Sequence, residues 1–319
     1  MFVEQVRTIT SCGSASKKEN LDIEFYGAVG TNKLLRPKED GSFESVESLT
    51  FFDNKKVRYI WCPEVDGFVK VASLDKNVES SFFHHQEGLS IEEQEKRRVL
   101  YGKNEIEVKV QSILEILFNE VLGPFYVFQV FSIILWGFED YVYYASCIIV
   151  MSSLSLISSV IQIRRNQTQL RDTVVGVDTV TVFRADGCLE EIDSTLLVPG
   201  DTIVIPPFGC VMQCDAVLVS GNVIVNESML TGESVPVTKT PLPDIKHKSE
   251  LYDSKEHAKH TLFCGTKVIQ TRFYDGAKVR AVVLRTGFQT AKGELVRSIM
   301  FPKPVDFKFN RKFNSNLII

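Results

Sequence analysis

One carboxylate stands on a tight turn, Leu230-Thr231-Gly232-Glu233-Ser234, followed at once by Val235-Pro236. A carboxylate so placed acts as a general base when a proton comes within about 3 Å of it. Taken as a tripeptide, Thr-Gly-Glu reads equally well as a solvated turn acid. No nucleophile, metal set or oxyanion partner accompanies Glu233, so these residues do not describe a free-standing hydrolase. The other chemistry-bearing residues lead less far. Cys210 and Cys214 have the spacing of half a metal site, but no second ligand pair follows, and they read as small residues around a strand turn. The remaining cysteines are scattered and read as reduced thiols. His84 and His85 read as surface residues. His257 and His260 fall in a segment without a carboxylate or thiol placed to complete a site. No metal site is expected.

The elements that carry this turn come next. The chain has 319 residues, enough for two domains or for one domain and a membrane portion, and a formal net charge of -4. A mild negative balance argues against a nucleic-acid partner, which needs a concentrated basic face. The first twenty residues lack the apolar core of a signal peptide.

Two uncharged runs lie back to back, at about 121–138 and 141–163, each near the roughly 20 residues that cross a bilayer. Glu139 and Asp140 separate them, and two adjacent acids belong in water. Trp136, Tyr141, Tyr143 and Tyr144 gather at that turn, as interfacial aromatics do. Lys103 and Lys109 precede the pair; Arg164, Arg165 and Arg171 follow it. Basic flanks stay cytosolic, which predicts a transmembrane hairpin over 113–165 with both termini cytosolic. Ser152, Ser155 and Ser159 share a face of the second span, suited to close approach by another helix or to bonds with their own helix.

After the hairpin the pattern shortens to alternating strands and turns. Examples are Val198-Pro199-Gly200-Asp201 before a β-branched run and Ser220-Gly221-Asn222 between two apolar runs. This predicts a compact, mainly β module over 174–300, a barrel or distorted jelly roll. Residues 242–259 read as an exposed loop. Upstream, residues 1–54 read as flexible polar sequence, and 55–112 as an N-terminal cytosolic segment with a small β hairpin around Pro63-Glu64-Val65-Asp66-Gly67. Tyr59 and Trp61 are its expected core.

An ordered set of motifs now emerges: Val198-Pro199-Gly200-Asp201, Asp215-Ala216, Asn226-Glu227-Ser228, Leu230-Thr231-Gly232-Glu233-Ser234, Pro236, Cys264-Gly265-Thr266 and Thr286-Gly287. The set resembles the actuator domain of P-type ATPases. Residues 88–106 resemble the approach to that family's first membrane helix, and residues 124–136 and 226–243 look most like the polyamine-transporting B subgroup of its fifth class. The resemblance covers roughly 57–308.

The resemblance implies a membrane protein built of a two-helix hairpin and a mainly β actuator domain. It implies that the Glu233 turn meets an aspartyl phosphate, with Glu233 activating the attacking water. Gly232 would let the turn come close, and Thr231 and Ser234 would fix it by hydroxyl bonds. The Asn226-Glu227-Ser228 run would brace the loop.

The family's Asp-Lys-Thr-Gly-Thr phosphoacceptor does not occur in these residues. ATP and Mg²⁺ are implied for the full-length family and not for this chain. A polyamine or other cation would be cargo of the complete protein, and the partners here would be the lipid bilayer and the missing pump domains or a full-length pump. Residues 301–319 would be the approach to a third membrane helix, and the chain reads as a truncated product. An integral, multi-pass, endomembrane protein is expected. The alternative function is a membrane-anchored regulatory module acting on a complete pump through the Ser152, Ser155 and Ser159 face.

Overall fold

The structure is a computed structural model. It describes residues 23–27, 34–38, 41–46, 48–86, 88–139, 141–174, 176–243, 251–272 and 278–302. The chain forms two compact parts: one from residues up to 105 together with those from 177 on, the other from residues 106–176.

In the first part the chain runs through β1 (Ile23–Gly27), β2 (Leu34–Pro37), β3 (Phe43–Val46), β4 (Ser48–Asn54), β5 (Val57–Cys62), β6 (Gly67–Lys70), β7 (Lys76–Glu79), α1 (Ser80–His84) and α2 (Ile91–Tyr101). Strands β1, β4, β5 and β6 form an antiparallel sheet in the order 1-4-5-6, while β2 and β3 pair as a hairpin. The predicted hairpin around Pro63 is the β5–β6 pair, Cys62 opposite Gly67.

The flexible reading of 1–54 is corrected in its described residues. Strands β1, β2, β3 and β4 fall within it, and Leu49, Phe51 and Phe52 are buried. The cut at 54/55 passes through a two-residue turn, Lys55 and Lys56 at φ +48° and +64°, with Asn54 paired to Val57. The core is also other than expected. Leu49, Phe51, Ile60, Val71 and Leu100 make it, while on the opposite face Tyr59 stacks on Phe52 and Trp61 meets Phe68 edge to face. The alternation explains the switch, because Phe51 faces Ile60 while Phe52 faces Tyr59.

Helix α2 begins at Ser90, whose hydroxyl accepts from the Glu93 amide at 3.2 Å, and ends at Gly102, φ +79°. Its Arg97 donates to Glu93 Oε1 at 2.7 Å and to the Pro199 carbonyl at 2.8 Å, and stacks over Phe43. Gln94 donates to Asp201 Oδ2 at 3.0 Å. Gly200 is required at this clamp: its φ of +96° favours glycine, and an added Cβ would run into the Arg97 guanidinium. The Val198-Pro199-Gly200-Asp201 turn is thus an internal fastening.

The β module follows with β8 (Thr179–Phe183), β9 (Leu189–Asp193), β10 (Thr202–Val204), β11 (Asp215–Ser220), β12 (Asn222–Asn226), α6 (Ser228–Thr231), β13 (Val237–Lys239), β14 (Leu251–Asp253), β15 (Thr261–Leu262), β16 (Lys267–Arg272), β17 (Arg280–Arg285) and α7 (Ala291–Met300). A six-stranded antiparallel sheet runs 15-11-17-10-8-9 and a three-stranded one 13-12-16. Between them lies a core that includes Val182, Ile203, Ala216, Leu218, Val223, Val225, Val268 and Val283. Burying several such side chains, at about 1.5–3 kcal/mol each, gives this part its rigidity.

The exposed-loop reading of 242–259 is likewise corrected where it is described. Leu242 and Tyr252 are buried with Leu74, Val78, Phe83, Val217 and Leu284, and β14 pairs with β7. Tyr252 shares a hydrogen bond with Thr261 Oγ1 at 2.6 Å. Residues 244–250 lie outside the described residues.

Cys214 and Cys264 are buried and Cys188 is exposed. Burial pushes the Cys214 thiol well up, and the Cys264 thiol up to about 12. Only the thiolate is nucleophilic. A maleimide at neutral pH should therefore label Cys188 and leave Cys214 and Cys264 unmodified until denaturant is added, as mass spectrometry of the labelled peptides would show.

The second part holds α3 (Ile113–Val121), α4 (Pro124–Phe138) and α5 (Val142–Val174). Among the described helices α5 alone is by itself long and apolar enough to cross a membrane; α3 and α4 reach that length only as a pair bent by 65°. The expected first span at 121–138 therefore falls on α4 and the break before it, with α3 lying upstream of it. Helix α4, at 15 residues, is about 22 Å long, short of the roughly 30 Å hydrocarbon. Proline is favoured at the first position of a new helix and does not continue an old one, which places the break at Gly123-Pro124. Helix α5 continues past the expected end at 163, through Arg164 and Arg165, and Gln167 exchanges two hydrogen bonds with Gln111. The rings of Trp136, Tyr141 and Tyr144 pack together. Ser159 Oγ donates to Glu120 Oε1 at 2.9 Å, a bond between helices.

Candidate active-site loop

Glu233 lies in the ten-residue loop joining β12 to β13. Both strands are anchored: Val223 and Val225 are fully buried, and Val225 pairs with Val237. The loop therefore springs from the rigid core while its tip is exposed over residues 231–236.

Its entrance is built by local bonds. The Asn226 side chain accepts from the Ser228 amide at 2.9 Å, the turn-forming bond that asparagine favours. The Glu227 carbonyl then accepts from the amides of Leu230 at 2.9 Å and Thr231 at 3.0 Å, and from Thr231 Oγ1 at 3.2 Å. This single helical turn ends at Gly232, which is left-handed at φ +78°, ψ -5°. Nothing lies within 4 Å of where a Cβ would stand on Gly232. The backbone conformation demands glycine there, and the surrounding space stays open. Thr231 Oγ1 accepts from the Glu233 amide at 3.2 Å, which fixes the residue that carries the acid. Of the two hydroxyls expected to fix the turn, Thr231 makes these bonds; Ser234 stands exposed at the tip.

Glu227 is 9% exposed and its carboxylate lies 2.7 Å from Lys239 Nζ. Lys239 was missed in the sequence. It sits on a strand opposite Val223, is 2% exposed, donates to the Ala258 carbonyl at 2.9 Å and lies 5.3 Å from the centroid of the Phe263 ring. Strand alternation puts Lys239 on the face of Val237, which is exposed, and so carries no signal of its burial. Asp215 is the other residue left without a role. Fully buried, it accepts from the Cys264 amide at 2.7 Å, the Ala291 amide at 2.8 Å and the Arg285 guanidinium at 2.7–2.9 Å. Among the described residues no three His, Cys, Asp or Glu side chains converge to hold a metal ion.

Residues 175–300 match the family model of the P-type ATPase actuator domain, and residues 75–136 match that of the cation transporter/ATPase N-terminus. This chain belongs to the P-type ATPases. The human polyamine-transporting ATPase 13A3 is 51% identical over 274 residues, covering 83% of this chain and 22% of that protein. The probable cation-transporting ATPase catp-6 of Caenorhabditis elegans is 44% identical over 297 residues, 86% of this chain and 23% of its own. The mouse polyamine-transporting ATPase 13A2 is 44% identical over 267 residues, 83% of this chain and 23% of its own. The P-type ATPase chain described here thus spans less than a quarter of the length of these relatives. The Glu233 loop falls inside the actuator match.

Proposed function

We propose that this chain supplies the actuator domain and first membrane hairpin of an ATP-driven cation pump, with a polyamine as the cargo of the complete protein. Two relatives named as polyamine-transporting ATPases support the cargo. The observation that carries the mechanism is the Glu233 turn: an exposed carboxylate beyond an open, left-handed Gly232, held through its own amide by Thr231, on a hairpin rooted in the core.

Presented to an aspartyl phosphate on another segment, the turn reaches close because Gly232 adds no side chain. Water attacks phosphorus, its proton passes to the Glu233 carboxylate, and the bond from phosphorus to the aspartate oxygen breaks. Aspartate and inorganic phosphate are the products. Gly232, Thr231 and Ser234 are the proposed companions of Glu233. The β module is taken as the distorted jelly roll of an actuator. Helix α5 and the bent α3–α4 pair are taken as a hairpin with both ends cytosolic in an endomembrane, on the strength of the basic flanks.

These 319 residues hold no Asp-Lys-Thr-Gly-Thr sequence, and so the acceptor aspartate lies outside them. With labelled ATP, the chain alone should acquire no acid-stable, hydroxylamine-sensitive phosphate; a stoichiometric label would overturn this division of labour. The alternative of a regulatory module docking through Ser152, Ser155 and Ser159 gains no support from Ser159, whose hydroxyl is engaged by Glu120.

A further inference from the structure

We infer that Lys239 is a positioning residue for Glu233, acting through Glu227. The inference rests on the reading of Glu233 as the base. A lysine with 2% exposure inside a β hairpin is costly unless its charge is met, and here three groups meet it: the Glu227 carboxylate at 2.7 Å, the Ala258 carbonyl at 2.9 Å and the face of Phe263. The same Glu227 builds the loop with its backbone. Its carbonyl takes the Leu230 and Thr231 amides and the Thr231 hydroxyl, and that hydroxyl takes the Glu233 amide. An ion pair from Lys239 Nζ to the Glu227 carboxylate and hydrogen bonds from the Glu227 carbonyl through Thr231 to the Glu233 amide are therefore joined by the one residue, Glu227.

The other side of Lys239 is firm. Ala258 opens a short turn closed by His260, whose ring bonds the Thr240 carbonyl at 2.9 Å, and the preceding Tyr252 is fully buried. Lys239 thus ties the loop that must meet the phosphate to the turn that follows the buried Tyr252. Pro236 and the β12–β13 ladder hold the loop's two ends, but neither bonds Glu227. Without Lys239 the helical turn 228–231 keeps its internal bonds and loses its seat, leaving the acid free to wander by the ångström that costs about 100-fold in a positioned reaction.

The test uses a full-length P-type ATPase in which this whole chain replaces the matching segment. Lys239→Met keeps the stem and removes the charge; Glu227→Gln keeps the volume and the carbonyl. Each should leave phosphoenzyme formation from ATP intact, which also reports folding, and slow its hydrolysis by about 10- to 100-fold. Combined with Glu233→Gln, neither should slow hydrolysis further, because a positioning residue has nothing left to position. Undiminished hydrolysis in both single variants overturns the inference, as does an equal loss with and without Glu233. If Glu233→Gln itself has no effect, the reading of the base fails instead.

Hydrogen exchange on the present chain gives a second measurement for a variant that does not form phosphoenzyme. Lys239→Met should speed exchange of the 230–233 amides and leave β11 and β17 as they were. Uniform acceleration across the chain, or none at the loop, overturns the inference.

Discussion

Glu233→Gln, placed in a full-length pump that carries this segment, should slow hydrolysis of the aspartyl phosphate by roughly 10²–10⁴ while phosphoenzyme still forms. The amide has the size of the acid and keeps its hydrogen-bonding oxygen, but it does not accept the proton of the attacking water. The local structure should survive the change. Glu233 is held through its backbone, by Thr231 Oγ1, and its side chain is exposed. The loss is therefore expected in the rate of phosphate release and not in the amount of folded protein. A chase experiment, with label loaded first and excess unlabelled ATP added next, measures that rate directly. An unchanged decay would refute the assignment of Glu233.

Asp215→Ala should be the most damaging single change to the fold, at about 3–5 kcal/mol. It removes a fully buried carboxylate and with it the acceptor for two amides, those of Cys264 and Ala291, and for the Arg285 guanidinium. Among the described residues Arg285 then keeps Asp75, at 3.4 Å. Each stranded donor carries its own desolvation cost. The double change Asp215→Ala with Arg285→Leu should recover part of the loss, because it removes the stranded charge along with its partner. Midpoints of denaturant unfolding for the single and double variants of the whole chain check both statements. A single variant as stable as the parent would show that the network contributes nothing.

Some of this arrangement was open to reading in the residues, and the pattern of success is physical. Strands that alternate on a core, such as Val223 and Val225 in β12, announce themselves, as does a left-handed glycine after Thr231. The strand pair β4–β5 did not, because its turn is Lys55-Lys56 in place of the Asn-Gly that usually marks two positive φ angles. Residues 242–259 looked exposed because charge dominates them, yet one buried tyrosine outweighs its charged neighbours in deciding where the backbone goes. Lys239 was illegible for a related reason. A buried lysine differs from a surface one only by the partners that tertiary packing brings to it, and Glu227 and Ala258 are 12 and 19 positions away. The role of Asp215 likewise depends on Arg285 and Ala291, far along the chain.

The clamp around Gly200 bears on how force moves through the molecule. Arg97 and Gln94 grip the turn, and nearby Asn104 is bonded to the Ser194 and Gln213 carbonyls and to the Gly287 amide. Helix α2 is also fastened to the N-terminal sheet, through Arg58 and the carbonyls of Val99 and Leu100. Were the β module to move as a body, these bonds would carry that sheet with it. A partner that held the sheet would thereby hold the β module as well.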